Sequence, residues 1–292
     1  MSMPFYMSPE QTMRDKADYA RKGVARSRSS VALQYTGGIL MVTPNVSSVL
    51  HKISEIYDRI AFAAVGRYNE YEVLRKAGVT YADVTGYQYD RTDVTARGLA
   101  NWYAQALGTN FSEPSGKPYE VEIVVAEVGA QPDSDQIYRI SWDGSVSDEP
   151  GYVAFGGQAD QVTAALKERF ADGMSLTEAL GAALAALTAP TTAAAASGSA
   201  APANGAQQEL TAANLEVAIL DRARAHRTFR RLQGPRLEEL IAQSRATPPA
   251  GPPAAPAEPA TDAPAADAPA SPPPSDDPPT GPSATSSDGT PL

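Results

Sequence analysis

The sequence contains no cysteine and only two histidines, His51 and His226. Without cysteine the chain can form no disulfide framework, no thiolate metal site and no cysteine nucleophile, and nothing ties it to an oxidising compartment. Two histidines also make His-rich metal sites and His-based catalytic triads poor candidates. Much common enzyme chemistry is therefore excluded, and we expect neither a bound metal nor a cofactor.

Long hydrophobic runs are missing as well. No apolar segment approaches the ~20 residues that are needed to span a bilayer. The N-terminal sequence MSMPFYMSPEQ lacks the basic and then apolar layout of a signal peptide. The sequence therefore predicts a cytoplasmic protein without a membrane partner.

Positive charge is absent from the C-terminal segment 247–292. This segment has no Lys or Arg, holds 15 of the 25 prolines and carries six of the acidic residues, so the net charge of -10 becomes -4 for residues 1–246. Its composition predicts a disordered, acidic Pro/Ala/Asp-rich tail. The nearly neutral remainder lacks the basic face that nucleic-acid binding requires, so no nucleic-acid partner is expected.

The segment after residue 7 carries a complete helix start signal. Ser8 is placed to cap the helix, Pro9 suits its first turn, and Gln11 completes a capping box with Ser8. Lys16 is expected to lie off the apolar face of this helix. Apolar residues recur at helical spacing and predict a helix over 9–26 with one apolar stripe, which comprises Met13, Ala17, Ala20 and Val24.

Further along the chain, strands and helices are predicted in alternating groups. Two β-rich runs around the turn at 36–38 predict a hairpin, and two more strands are expected near Lys52 and over 60–65. Helices are predicted over 69–78 and 93–108, each ended by a glycine. The remaining order is two strands (120–128, 136–142), two helices (161–170 and from 175), two strands (215–221, 227–233) and a helix from 235.

This order of elements predicts an α+β fold. Strands that are adjacent in sequence favour antiparallel pairing, and paired helices favour layers that cover two sheets. We therefore expect one sandwich domain over residues 8–246. Within it, the Ala-rich segment 188–213 is expected to be a flexible surface loop, with a helical Ala run as the alternative.

Segments spread over most of the chain resemble the α-type subunit of the 20S proteasome, in particular its actinobacterial form. The resemblance covers roughly residues 1–245 and implies the four-layer sandwich of N-terminal-nucleophile hydrolases, with two antiparallel sheets between helices and an additional N-terminal helix. The matching stretches are SPEQTMRDKADYARKGVARS, LHKISEIYDRIAFAAVGRYNEYEVLRKAG, GYQYDRTDVTARGLANWYAQALG, KPYEVEIVVAEV, YRISWDGSVSDEPGYVAFGG and LEVAILD.

Catalysis in this family, as the resemblance implies, needs an N-terminal threonine that is assisted by a Lys and an Asp. Aligning the first strands places Arg28, Pro44 and Lys52 at the nucleophile, Asp and Lys positions, so two of the three are chemically wrong. A capped helix also precedes the strand that a nucleophile would have to begin. We therefore expect a non-catalytic subunit. The alternatives are a catalytic β-type subunit of the same fold and a stand-alone globular protein.

The resemblance also implies partners. Seven copies would form an α ring at each end of a double ring of catalytic β subunits. A hexameric ATPase would dock its C-terminal tails on this ring and deliver unfolded proteins, which carry a prokaryotic ubiquitin-like tag.

Two residues are expected to dock those tails. In the family, the Lys of the Lys-Ile segment pairs with the tail carboxylate, and a following Gly presents its backbone to the tail; these positions are Lys52 and Gly66 here. The alternative is a solvated strand Lys beside Glu55 and a Gly that only ends a strand.

The N-terminal segment 1–7 is expected to gate the central pore of the ring, the alternative being an ordinary frayed terminus. The Tyr-Asp-Arg gate signature of archaeal and eukaryotic α subunits is absent from this segment. The helix positions that match the Tyr-Ala-Arg signature are Tyr19, Ala20 and Arg21, and they are expected to support the gate, or contact a ring neighbour, or pack on the subunit's own sheet. The gate residues are Met3, Phe5, Tyr6, Met7 and Pro9.

Overall fold

Two five-stranded antiparallel sheets lie face to face between layers of helices in the computed structural model, which describes residues 8–196 and 210–246. One sheet has the strand order β10-β9-β2-β1-β8 and the other the order β3-β4-β5-β6-β7. In chain order the strands are β1 (Ser30–Tyr35), β2 (Gly38–Pro44), β3 (Ile53–Tyr57), β4 (Ile60–Gly66), β5 (Val121–Glu127), β6 (Gln136–Ile140), β7 (Val146–Asp148), β8 (Tyr152–Phe155), β9 (Leu215–Asp221) and β10 (Phe229–Leu232).

The helices cover the two outer faces. In chain order they are α1 (Pro9–Ala25), α2 (Tyr68–Gln88), α3 (Ala96–Ser112), α4 (Ala159–Lys167), α5 (Leu176–Ala196) and α6 (Pro235–Ala246). Helices α2 and α3 pack on the sheet that contains β5, and α4, α5 and α6 lie over the sheet that contains β1. Helix α1 contacts β4 and β5. This arrangement confirms the predicted four-layer α+β sandwich with an N-terminal helix.

Burial on both faces explains why apolar and polar residues do not alternate along several of the strands. Every residue of β2 is buried, and β4 is buried along its length up to Gly66. One face of each strand packs against a helix layer and the other against the opposite sheet. A strand covered on both faces becomes a continuous apolar run, as in the ILMV and IAFAAV segments.

Both predicted glycine stops are wrong. Helix α2 continues through Gly78 to Gln88, and α3 continues past Gly108 to Ser112. Gly78 serves close packing, since a Cβ there would lie 2.7 Å from Cζ of the buried Tyr103. Asp93 also does not begin α3, because the hydroxyl of Thr95 caps that helix by accepting from Gly98 N at 3.1 Å.

Two other expectations change at their boundaries. Helix α5 extends to Ala196, so the start of the segment 188–213 takes the helical alternative rather than a loop. The segment 197–209, the segment 1–7 and the tail 247–292 lie outside the described residues. The strand predicted around Lys52 begins only at Ile53.

Lys16, which was expected to lie off the apolar stripe of α1, is buried. Its ammonium donates to the carbonyl oxygens of Phe111, at 3.3 Å, and Glu113, which lie at the C-terminal end of α3. Carbonyl groups there have no partner within the helix and carry partial negative charge, so a cation is favourable. Lys16 therefore anchors α1 to the segment that follows α3.

Candidate functional site

Lys52 lies directly before β3, at the edge where this strand meets the end of β2. Its carbonyl oxygen accepts a hydrogen bond from Ala64 N of β4 at 3.0 Å. Its half-buried ammonium donates to the carbonyl oxygen of Pro44 at 3.0 Å. The backbone and the side chain of Lys52 are thus each held by a different strand.

The carboxylate of Glu216 in β9 shapes this edge. It is only 6% exposed and accepts hydrogen bonds from the backbone amides of Lys52 and Ile53, at 2.9 and 3.1 Å. Asn45 Nδ2 at 2.8 Å and the guanidinium of Arg231 are its other donors. Within the described residues, Glu216 therefore binds the backbone beneath Lys52 rather than the Lys52 ammonium.

The electrostatics leave the ammonium only partly compensated. Burial lowers the pKa of Lys52; the negative charge of Glu216 opposes this effect and the positive charge of Arg28 adds to it, and the net pKa lies below its ordinary value. A cation in this position gains from a further anionic partner. The site is therefore suited to bind a carboxylate.

A cleft of about 350 Å³ opens beside this edge, between the end of β2 and the start of α6. His51, Glu216 and Arg231 are among the residues that line it. The buried Nδ1 of His51 lies 3.4 Å from the Glu216 carboxylate and has no hydrogen-bond partner in the described part of the chain. Chain segments or ligands that approach Lys52 would thus meet further polar groups next to it.

The three positions that correspond to family catalytic residues lie near one another. Lys52 contacts the Pro44 carbonyl, and Arg28, just before β1, is close enough to influence the pKa of Lys52. The guanidinium of Arg28 cannot act as the nucleophile. The ring of Pro44 cannot replace the carboxylate of the Asp. Helix α1 also precedes β1 in the chain, where an N-terminal nucleophile would stand.

Gly66 ends β4, two residues beyond Ala64, which is opposite Lys52. At a strand rise of 3.3 Å per residue the two backbone positions are about 7 Å apart along the strand. Gly66 has φ of 109°, and a Cβ there would lie 2.9 Å from the carbonyl carbon of Glu120. Packing against Glu120 therefore explains this glycine by itself, and its docking role stays a prediction.

The Tyr-Ala-Arg signature on α1 divides between the interior and the surface. Ala20 is 0% exposed and belongs to the subunit's own core. Tyr19 is 47% exposed, and Arg21 is exposed and pairs with Asp18 at 3.1 Å. Pro9 is the first residue of α1, where Ser8 caps the helix. The other gate residues, Met3, Phe5, Tyr6 and Met7, lie outside the described residues.

The family model for proteasome subunits matches residues 24–201. The chain belongs to the proteasome subunit family. A proteasome subunit alpha of Thermomonospora curvata is 63% identical over 243 residues, which are 83% of this chain and 99% of the relative. Proteins of the same name from Thermobifida fusca and Streptosporangium roseum are 62% and 63% identical over 84% and 85% of this chain, and over 92% and 90% of their own.

These relatives confirm the resemblance to actinobacterial α-type proteasome subunits. The α subunits are the non-catalytic type, in agreement with Arg28 and Pro44 at the catalytic positions. In the described ranges no helix has the length and apolar character to span a membrane, and no group of His, Asp or Glu side chains is arranged to hold a metal ion.

Sequence analysis missed the residues that support Lys52. Glu216, Arg231 and Asn45 come from segments far apart in the sequence, so spacing could not have joined them to Lys52. One signal was present: Glu216 is an acid inside the otherwise apolar run LEVAIL. A buried carboxylate requires several hydrogen-bond donors, so such an acid is a candidate to bind the backbone amides of neighbouring segments.

Helix α2 carries an uncovered apolar stripe that sequence analysis also missed. Its members follow one another at spacings of four and three residues, which aligns them on one face. Tyr87 is 92% exposed, and Val73 and Val84 are also exposed. The exposed apolar members of the stripe are Val73, Val84 and Tyr87, and the half-buried Ala77 and the polar Thr80 lie between them.

Proposed function

We propose that the chain forms the outer heptameric rings of a cytoplasmic proteasome core, stacked on rings of catalytic β subunits. In this proposal it gates substrate entry through residues 1–7 and docks the C-terminal tails of a hexameric ATPase at Lys52 and Gly66. Its substrates are unfolded proteins that carry a prokaryotic ubiquitin-like tag. Family membership supports the assembly, and the environment of Lys52 supports the docking.

The observation that carries the docking proposal is the half-buried, partly compensated ammonium of Lys52. A carboxylate that pairs with it makes a charge-assisted hydrogen bond, which contributes on the order of 1.5 to 3 kcal/mol. Glu216 holds the backbone of Lys52 and Ile53 and has its own donors. A tail carboxylate would thus meet a preorganised cation.

The alternative of a solvated Lys beside Glu55 fits less well. The carboxylate of Glu55 is paired with the guanidinium of Arg227 at 3.1 Å. Lys52 points instead to the Pro44 carbonyl and is half-buried. A lysine that serves only solubility would keep its ammonium in water.

The apolar stripe on α2 supports an assembled state. Val73, Val84 and Tyr87 expose apolar surface on one face of the helix, and a protein partner would remove that surface from water. Stable assemblies bury about 1,000 Å² or more in each interface, and aromatic residues are common in such surfaces. Subunit contacts of a stacked ring particle would cover such a helix face.

The gate proposal rests on the composition of residues 1–7 and on the start of α1. Met3, Phe5, Tyr6 and Met7 are apolar enough to pack against their copies at a ring axis. The cap at Ser8 and Pro9 at the first helical position define where the helix begins. Deletion of residues 2–7 should raise hydrolysis of small peptides by assembled particles without the ATPase. An unchanged rate would contradict the gate.

The docking proposal is tested by Lys52→Ala in particles that are assembled with β subunits. We expect intact rings and normal peptide hydrolysis by gate-deleted particles, but loss of ATPase-stimulated protein degradation. Lys76→Ala is the matched control, because Lys76 is an exposed lysine on α2 that lies 3.6 Å from Glu72. Unchanged stimulation in Lys52→Ala would refute the docking role.

Assembly itself is tested by co-expression with a β subunit, followed by size-exclusion chromatography and electron microscopy. Four stacked rings are expected. A monomer near 30 kDa, both alone and with β subunits, would favour the stand-alone alternative. Intact mass spectrometry separates the catalytic β-type alternative, which requires N-terminal processing to a threonine.

A further inference from the structure

Glu120 lies between the end of β4, which carries Gly66, and the N-terminal helix α1. It directly precedes β5 and is buried. Its carbonyl oxygen accepts from Arg67 N at 3.0 Å and lies against Gly66, where the absence of a side chain allows close contact. One side of Glu120 is thus in contact with the end of β4.

The side chain of Glu120 faces α1. A Cβ at Gly23 would lie 2.6 Å from Cβ of Glu120, so this glycine makes room for the glutamate. The hydroxyl of Tyr19 donates a hydrogen bond to the Glu120 carboxylate. Two glycines on different elements, Gly23 and Gly66, therefore pack directly on the same residue.

Charged neighbours hold this carboxylate in place. Lys117 Nζ lies 2.9 Å and Arg67 Nη1 3.3 Å from the Glu120 carboxylate. The backbone amide of Glu120 donates to Glu70 at 2.7 Å, and Lys117 also pairs with Glu70. Lys117 lies 5.6 Å from the centre of the Tyr19 ring as well. We call Tyr19, Arg67, Glu70, Lys117 and Glu120 the Glu120 cluster.

The surroundings of Glu120 favour the ionised form of its carboxyl group. Burial alone would raise its pKa, but hydrogen bonds from Lys117 and Tyr19 and the charges of Lys117 and Arg67 outweigh burial, and the net pKa lies below its ordinary value. A buried carboxylate with such partners resists displacement, because each broken contact leaves a charge unpaired. Glu120 therefore joins its two neighbours firmly.

We propose that Glu120 is a positioning residue that couples occupancy of the activator-docking site to the position of helix α1. This inference rests on the proposed docking and gating functions. A shift of the backbone at Gly66 and Arg67 moves the carbonyl and carboxylate of Glu120, and through Tyr19 and Gly23 it moves α1, which carries residues 1–7. Lys16 adds a second attachment of α1 to the segment that leads to Glu120.

The coupling is a free energy between two sites, so its loss lowers the gate response to bound tail peptide and changes tail affinity by no more than the same factor. The test uses particles assembled with β subunits and a synthetic peptide that carries the ATPase tail sequence. Fluorescence anisotropy measures tail-peptide affinity, and a small fluorogenic peptide reports gate opening at saturating tail peptide. Glu120→Gln keeps the size of the side chain and removes its charge.

We expect Glu120→Gln to lower the maximal stimulation at saturating tail peptide at least threefold, with a change in tail affinity that is no greater than the loss of stimulation. Combining Glu120→Gln with deletion of residues 2–7 should restore the rate of the gate-deleted particle. Tyr19→Phe should act in the same direction and add little in the Glu120→Gln background, because both variants weaken the contact between Tyr19 and Glu120.

Glu72→Gln is the matched control. Glu72 is a partly buried, Arg75-paired carboxylate on α2 and is not a member of the Glu120 cluster. It should leave maximal stimulation unchanged.

Wild-type stimulation in both Glu120→Gln and Tyr19→Phe would overturn the coupling role. Failure of the proposed function looks different: wild-type particles would show no stimulation, or Lys52→Ala would bind the tail as tightly as the wild type does. Lys52→Ala is expected to lower affinity, whereas Glu120→Gln lowers the response at saturation. If Glu120→Gln prevents assembly, Tyr19→Phe alone decides the question, because this variant keeps the aromatic ring of residue 19 and the carboxylate of Glu120.

Discussion

Replacement of Glu216 by glutamine should both destabilise the fold and weaken the Lys52 site. One carboxylate oxygen of Glu216 accepts from Ile53 N and from Arg231, and the other accepts from Asn45 and from Lys52 N. Glutamine keeps the shape but replaces one oxygen by an NH₂ group. In either orientation this NH₂ group faces two donors and can accept from neither.

The magnitude follows from these contacts. Each lost hydrogen bond to a charged acceptor costs about 1.5 to 3 kcal/mol, and removal of the carboxylate also leaves the guanidinium of Arg231 without its anionic partner, so that within the described residues only the Ile53 carbonyl oxygen still accepts from it. Breaking a buried ion pair in this way costs about 3 to 5 kcal/mol. In a domain of this size each kcal/mol shifts Tm by roughly 2 to 4 °C, so Tm should fall by roughly 6 to 20 °C.

Thermal unfolding followed by circular dichroism at a fixed protein concentration measures this loss. Glu238→Gln is the matched control, because Glu238 is exposed on α6 and its change should stay within about 0.5 kcal/mol. Tail-peptide affinity of assembled Glu216→Gln particles should also fall, since the backbone under Lys52 loses its anchor. A loss of stability below about 1 kcal/mol, a fraction of the expected cost, would refute this account of Glu216.

Three other predictions concern separate parts of the molecule. Because burial lowers the pKa of Lys52, tail-peptide affinity should fall with rising pH before the ordinary lysine pKa of ~10.4 is reached, whereas Lys52→Arg should show a flat profile in the same titration. Asp135→Asn should cost about 3 to 5 kcal/mol in urea denaturation, because the 0% exposed carboxylate pairs with Arg222 at 2.7 Å; an unchanged midpoint would contradict this. Gly78→Ala should lower the free energy of unfolding by about 1 to 3 kcal/mol despite the helix propensity of alanine, because the Tyr103 hydroxyl occupies the space that the new methyl group needs. Adding Tyr103→Phe to this variant should therefore recover part of the lost stability. Additive losses of stability would argue against the clash.

Local chemistry explains which elements could be predicted. The start of α1 was correct because Ser8 and Pro9 act on the first turn alone. The hairpin of β1 and β2 was correct because the turn and both strands are contiguous in sequence. The end of α2 was wrong because Gly78 was interpreted as a helix stop, whereas its purpose is contact with Tyr103 on α3. A residue whose role lies on another element carries no local signal.

The candidate site shows the same division. Lys52 and Gly66 were selected through the resemblance of a contiguous segment, whereas Glu216, Arg231 and Asn45 were not predicted because they reach Lys52 from β9, β10 and the end of β2. The burial of Lys16 was not predicted, for a related reason. Charge predicts exposure, but the free carbonyls at the end of α3 bind its ammonium in the interior.

The family, the four-layer sandwich and the lack of a usable catalytic set could be inferred from the amino-acid sequence, because these depend on residue identity and on patterns along the chain. The folded structure was needed to show that Ala20 belongs to the core while Tyr19 reaches the surface, that Glu216 holds the backbone of Lys52, and that Glu120 touches both Gly66 and Gly23. The physical reason is that burial and hydrogen-bond partnership are set by residues distant in sequence. Charges that look alike in the sequence take different roles once folding determines which partners surround them.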